Sequence, residues 1–176
     1  PKESLITLVG SGAANLRTAY VLIKWGVKPG NIILADSKGV VHKNRKDIIK
    51  NEDPWKYELT QKTNSENRTG TIQEAFKGVD AVVAASQPGP DTIKKVWIKS
   101  MADNSIVFAC ANPIPEIWPW EAEEAGAKIV ATGRSDFANQ VNNSLGFPAI
   151  FRGVLDVKAK TITDDMCIAA ATELAN

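Results

Sequence analysis

The residues with the clearest chemical meaning are Gly10-Ser11-Gly12-Ala13-Ala14-Asn15, followed 21 residues after Asn15 by Asp36. The glycines end a short apolar run and precede a stretch of helical composition. In such a loop the first glycine makes the tight turn. The second lets backbone approach a pyrophosphate, which is held at the positive end of the following helix. Gly10 and Gly12 suit those roles, and Asp36, ending the second apolar run, suits an acceptor for ribose hydroxyls. An acid there also repels a 2′-phosphate, so the pattern favours NAD over NADP. Ser37 and Lys38 would serve a phosphate only if Asp36 turned away. Asn15 departs from the third small residue of such loops. Its bulk is expected to push the helix outward or turn its amide toward the site.

Two more strand ends carry polar groups. Small residues in Ala84-Ala85-Ser86-Gln87-Pro88-Gly89-Pro90 would let a cofactor lie against backbone, with a Pro-Gly turn as the plainer reading. Asn112, between an apolar run and Pro113, is held out of helical geometry by that proline. Its amide could bond a carboxamide or a carboxylate, or simply form a turn. After the last apolar run come Arg134, Ser135, Asp136, Asn139, Gln140, Asn142 and Asn143. These amides beside renewed apolar sequence suggest a small polar ligand, although Ser135 or Asp136 should cap a helix. Proton-transfer and metal chemistry are missing. His42, the one histidine, sits in a turn where a surface role is expected. No Ser/His/Asp set, Cys/His cluster or paired carboxylates accompany the strand ends, and the catalytic and metal sets of this chain are therefore read as none.

Five short, nearly continuous apolar runs must position these groups: Leu5–Val9, Asn31–Ala35, Asp80–Ala85, Ser105–Ala109 and Lys128–Ala131. Runs of this kind read as parallel strands buried on both faces. Helices are expected over Asn15–Trp25, Thr71–Lys77, Asp91–Met101 with an acidic N-cap, Pro115–Ala125, 142–157 and Thr163–Ala175. The polar segment 43–67 is harder to read and is expected to hold a helix over Arg45–Lys50. The alternation predicts a three-layer, doubly wound α/β domain of Rossmann type with a mostly parallel sheet, filling residues 1–176.

The bulk properties narrow the partners. Twenty-one basic and 20 acidic residues leave a net charge of +1 over 176 residues, which gives no footprint for nucleic acid or an anionic membrane. No apolar stretch is long enough to span a bilayer, and no signal-peptide start is visible. A cytoplasmic location with Cys110 and Cys167 reduced is the expectation. The opening Pro1, so close to the first apolar run, looks like a cut from something longer.

Beyond single motifs, Thr132-Gly-Arg-Ser-Asp-Phe-Ala-Asn-Gln-Val-Asn-Asn-Ser through Val157 closely resembles bacterial and archaeal malic enzymes. Phe108-Ala-Cys-Ala-Asn-Pro-Ile-Pro-Glu-Ile, the glycine loop, Asp36-Ser-Lys-Gly and Gly78-Val-Asp-Ala-Val-Val-Ala-Ala-Ser resemble the same family. The likeness runs from Ile6 to Ala175. It implies oxidation of malate by NAD, with NADP possible, and decarboxylation to pyruvate, assisted by Mg or Mn. Carried over by position, Ser11, Gly12, Ala13 and Ala14 with Gly10 match the pyrophosphate loop, Asp36 the ribose acid, and Ala85 and Ser86 the wall beside a ribose. Asn112 and Asn143 match amides near nicotinamide and malate, with Asn142 adjacent; Arg152 matches a packing position. The family's Tyr, Lys and metal-binding carboxylates lie upstream, in another domain. The resemblance therefore implies a cofactor domain, inactive alone, of an enzyme that is a homodimer when complete. Other readings are a dinucleotide-sensing module without catalysis, or the cofactor domain of an amino-acid or shikimate-type dehydrogenase.

Overall fold

The computed structural model describes residues 2–176. Among them six strands form one sheet: β1 (Ile6–Val9), β2 (Ile32–Asp36), β3 (Gly39–Val40), β4 (Ala81–Ala84), β5 (Ile106–Ala109) and β6 (Ile129–Thr132), in the order β3-β2-β1-β4-β5-β6. All pairings are parallel except the short β2–β3 hairpin. The five apolar runs are the five parallel strands. β3 was not foreseen: the turn Asp36-Ser37-Lys38-Gly39 reverses the chain, and Gly39 takes a φ of +105° where an added Cβ would lie 2.0 Å from the Gly70 carbonyl oxygen.

Strand residues alternate between two cores. Ile6, Leu8, Ile32 and Leu34 pack on one face with Ala19, Leu16 and Ile23 of α1 (Ala13–Trp25) and Leu59 of α2 (Pro54–Lys62). Val9, Ile33, Val82, Val107 and Val130 face the other way, against Phe76, Ile98 of α3 (Lys95–Ile98), and Ala122 of α4 (Pro119–Glu124). Helices on both faces of a parallel sheet complete the three-layer, doubly wound arrangement. Because β2 and β4 flank β1 on opposite sides, the chain reverses direction across the sheet at β1. That opens a crevice at the carboxyl ends of β1 and β4.

Several helices differ from expectation. Residues 72–76 form a 3-10 turn rather than an α-helix. Asp91 is no N-cap: it takes a φ of +73°, and α3 starts at Lys95. No helix covers Arg45–Lys50; the helix of the polar segment is α2, capped by Asp53, whose carboxylate accepts the Lys56 N–H, and opened by Pro54. Past β6, α5 (Phe147–Asp156) and α6 (Asp164–Ala175) follow the expected stretches, with Thr163 capping α6. α6 docks on α1 through Arg17–Asp164 and Lys24–Asp165 ion pairs. α5 contributes no buried residue, and Phe147, Phe151 and Leu155 are exposed on it. Trp25, Trp55 and Trp120 are exposed as well.

Candidate cofactor site

Gly10 leaves β1 with a φ of +92°, and its N–H donates to the Ala35 carbonyl at 2.8 Å. A Cβ there would stand 2.5 Å from the Ala85 carbonyl oxygen and 3.0 Å from Ser86 Cβ. The first glycine is thus required twice, by its left-handed backbone and by the loop after β4. At Gly12 an added Cβ would meet nothing within 4 Å. Its missing side chain leaves open space in front of the loop, as close approach by a ligand needs. Ala13 and Ala14 begin α1. No side chain caps this helix and no acid occupies its first turn, so its leading N–H groups and its dipole are left for an anion.

Asn15 neither pushes the helix away nor points into the crevice. It is 1% exposed. Its Nδ2 donates to the Val9 carbonyl at 2.7 Å and the Val83 carbonyl at 3.2 Å. The amide replaces the close packing of a glycine by stitching the helix to β1 and β4, while its Oδ1 is buried without a partner.

Asp36 sits at the crevice edge, in a denser setting than a lone ribose acid. Its oxygens accept from Arg45 Nη1 at 2.7 Å, Lys56 Nζ at 2.6 Å, the Lys38 N–H at 2.9 Å and Ser11 Oγ at 3.1 Å. Arg45 also grips Asp47 at 2.9 and 2.6 Å, and Lys38 reaches Asp47 at 3.1 Å. Burial works against the Asp36 charge, but the bonds from Arg45, Lys56 and Lys38 outweigh it and hold the carboxyl down to about 2. Asp47 is also held well below the carboxylate range, by Arg45 first and then Lys38. Three cations face two carboxylates here. Neither Arg45 nor Lys56 stood out in the sequence; the available signal was a cluster of basic residues soon after the strand bearing the acid.

The far side of the crevice is built from the loops after β4 and β5. Ala85 N–H donates to the Val9 carbonyl at 3.0 Å, which fixes Ala85 and Ser86 beside Gly10. Asn112 is exposed and packs against Gly133, where a Cβ would come within 3.0 Å of its Nδ2. The Asn112–Pro113 peptide is cis. Beneath both loops lies Glu116, fully buried. It takes the Ser86 N–H at 2.9 Å, Ser86 Oγ at 3.1 Å and the Ala111 N–H at 3.0 Å. Sequence reading passed over it, although a lone acid within Ile114-Pro115-Glu116-Ile117-Trp118 was the available sign.

Asn142 and Asn143 lie further out. Val141 N–H donates to the Thr132 carbonyl at 2.8 Å, which ties this segment to the end of β6. Asn142 caps the 3-10 turn Asn143–Leu145 by accepting the Ser144 N–H at 3.0 Å. Both asparagines are exposed, and among the described residues no hydrogen bond joins either to Asn112 or to the glycine loop. The capping expected of Ser135 or Asp136 falls to Asn142 instead. Asp136 forms a two-point pair with Arg134 at 2.8 and 2.7 Å.

The remaining titratable groups offer little proton chemistry. Burial, then Glu58, pushes the Tyr20 hydroxyl up to about 12, and it donates to the Trp55 carbonyl. Burial, then the Glu116 charge, raises the Cys110 thiol to about 11; Cys110 and Cys167 are half-buried and free. His42 is half-buried rather than on the open surface. Arg152 is exposed and pairs with Asp156 on its own helix, so it does not pack as expected. Among the described residues no cluster of three metal-ligating side chains occurs, and no helix is long and apolar enough to cross a membrane.

The geometry fits a dinucleotide: an open glycine loop before an uncapped helix, an acid with hydrogen-bonding neighbours at the next strand, and two small-residue loops opposite. Comparison with known proteins agrees. The family described as malic enzyme, NAD binding domain, matches residues 2–176. The chain is 42% identical over 174 residues to the NADP-dependent malic enzyme of Halomonas elongata, covering 98% of this chain and 39% of that protein. It is 42% identical over 171 residues to the NAD-dependent malic enzyme of Geobacillus stearothermophilus, covering 97% and 34%. The crystal structure of Entamoeba histolytica malic enzyme superposes with a TM-score of 0.90 at 48% identity, over 96% of this chain and 35% of that one. The chain spans between a third and two fifths of these proteins. It belongs to the malic enzyme family, as its NAD-binding domain.

Proposed function

We propose that this chain holds NAD(P) for oxidative decarboxylation of malate to pyruvate within a larger enzyme. The observation that carries the reading is the meeting of Gly10–Gly12 with the Asp36 cage through the Ser11–Asp36 hydrogen bond. Bound there, the dinucleotide supplies the hydride acceptor. The chain's own part is to bind and orient: Ser11, Gly12 and the first N–H groups of α1 take the pyrophosphate, and Asp36 takes the adenosine ribose. Ala85, Ser86 and Asn112 flank the nicotinamide half, with Asn143 and Asn142 toward the substrate. Proton transfer and a Mg or Mn site belong to other parts of the protein, so this chain alone does not turn over malate. A homodimeric, cytoplasmic enzyme completes the reading. The family assignment favours it over a sensing module or an amino-acid dehydrogenase.

Cofactor choice follows from the cage as a whole. Asp36 keeps NAD as the first candidate. Its charge is already answered by Arg45 and Lys56, however, and Lys38 leaves the group with a net excess of one positive charge over Asp36 and Asp47. A 2′-phosphate would meet cations as well as an acid. Discrimination against NADP is therefore weaker than one bare carboxylate would impose. Calorimetric titration with NADH and NADPH tests both levels. The expectation is NADH binding with NADPH within about tenfold, and a Lys56→Ala change that weakens NADPH by about tenfold and NADH by less than about threefold. Binding of neither dinucleotide would refute the assignment. Equal losses in K56A would refute the charge argument alone.

A further inference from the structure

Glu116 is a carboxylate with 0% exposure and, among the described residues, no basic side chain within ion-pairing distance. Burying a charge in this way is costly unless hydrogen bonds replace water. Here they do: Oε1 faces the Ser86 N–H and hydroxyl, and Oε2 faces the Ala111 N–H. Each oxygen meets a backbone donor that cannot reverse. The position needs an acceptor at both atoms, although its chain neighbour Ile117 and its partner Ala111 are buried apolar residues.

Its location gives the charge a use. Asp36 and the glycine loop fix the adenosine and pyrophosphate at β2 and β1. An extended dinucleotide must then continue past β1 toward β4 and β5, on the other side of the switch point. Ser86 follows β4 and Ala111 follows β5, so Glu116 lies under the place where the nicotinamide arrives. Ser86 also abuts Gly10, which joins this buried group to the phosphate loop. The oxidised nicotinamide ring carries a positive charge and the reduced ring none, since accepting a hydride discharges it. In a low-dielectric site such a difference is felt over several ångströms.

We propose that Glu116 is a positioning residue whose buried charge biases this cofactor site toward the oxidised dinucleotide. The inference rests on the cofactor reading above. The test is calorimetric titration of the 176-residue chain and its Glu116→Gln variant with NAD⁺, NADH and ADP-ribose, which lacks the nicotinamide. E116Q is expected to weaken NAD⁺ relative to NADH by about tenfold, or about 1.4 kcal/mol, with ADP-ribose changed less than about twofold. Equal losses for all three ligands would reduce Glu116 to a loop tie and overturn the proposal, as would an unchanged NAD⁺ to NADH ratio. Failure of the unaltered chain to bind ADP-ribose and both dinucleotides would instead sink the cofactor site itself. The Gln amide must point a donor at a backbone N–H, so E116Q can fail to fold. Ser86→Ala covers that case: it removes one hydrogen bond from the carboxylate, leaves its field less compensated, and should shift the ratio toward NAD⁺ by about twofold. An unmoved ratio in S86A overturns the proposal as well.

Discussion

Replacing Asn15 by glycine, the small residue usual at the third position of such loops, should destabilise this protein. The side chain makes two hydrogen bonds to backbone carbonyls of β1 and β4, at 2.7 and 3.2 Å. Each contributes about 1 kcal/mol net. Glycine within a helix costs roughly 0.3 kcal/mol more than asparagine. Against this, Asn15→Gly releases the buried, unpaired Oδ1, a gain of about 1 kcal/mol at the low end of such penalties. Val9 O also keeps its bond from the Ala85 N–H, so no carbonyl penalty is added there. The sum is a loss of about 1.3 kcal/mol, or about 3–5 °C in Tm for a domain of this size. Urea unfolding followed by tryptophan fluorescence measures it. Asn15→Asp keeps the shape but sets a carboxylate against two carbonyls, so it should cost more, about 3 kcal/mol or above. The order of stability is then Asn, Gly, Asp. An N15G protein as stable as the parent would mean that the amide fills space and does not stitch the helix to the sheet.

The two loop glycines should separate stability from binding. Gly12→Ala meets no neighbour within 4 Å and should leave the urea midpoint nearly unchanged while weakening NADH by more than about tenfold, because its methyl occupies ligand space. Gly10→Ala meets the Ala85 carbonyl at 2.5 Å with a φ of +92° and should unfold the protein more easily, by about 2 kcal/mol or more. The Asp36 carboxyl, held at about 2 in the folded chain against 3.8 for the free group, supplies stability above about pH 4 that fades as pH falls toward 2. The gap in urea midpoint between the parent and Asp36→Asn should therefore narrow across that window. A gap that stays constant from pH 6 to pH 3 would show that Arg45 and Lys56 do not hold the charge.

How much could be read beforehand depended on whether a residue's role is set nearby or far away in the chain. The parallel strands were legible because burial on both faces writes itself as continuous apolar sequence. Gly10 was legible because its left-handed backbone, with a φ of +92°, is a local constraint. The polar segment was not: Arg45-Lys46-Asp47-Ile48-Ile49-Lys50 has helix-like composition, but Arg45 is drawn out of any helix by Asp36 and Asp47. The real helix, α2, shows only its Asp53-Pro54 start. Asn15 was visible as a departure, yet its acceptors lie 6 and 68 residues away, and nothing local reveals which way the amide turns. Glu116 poses the same difficulty, with Ser86 30 residues off. Cofactor preference is the least legible property of all. A motif reading assigns it to one acid, whereas the proposed site makes it a balance among Asp36, Arg45, Lys56, Lys38 and Asp47, which are joined by hydrogen bonds and four of which the motif does not contain. Charge at a site is a sum over neighbours in space, and at the distances found here no single member of the sum fixes its sign.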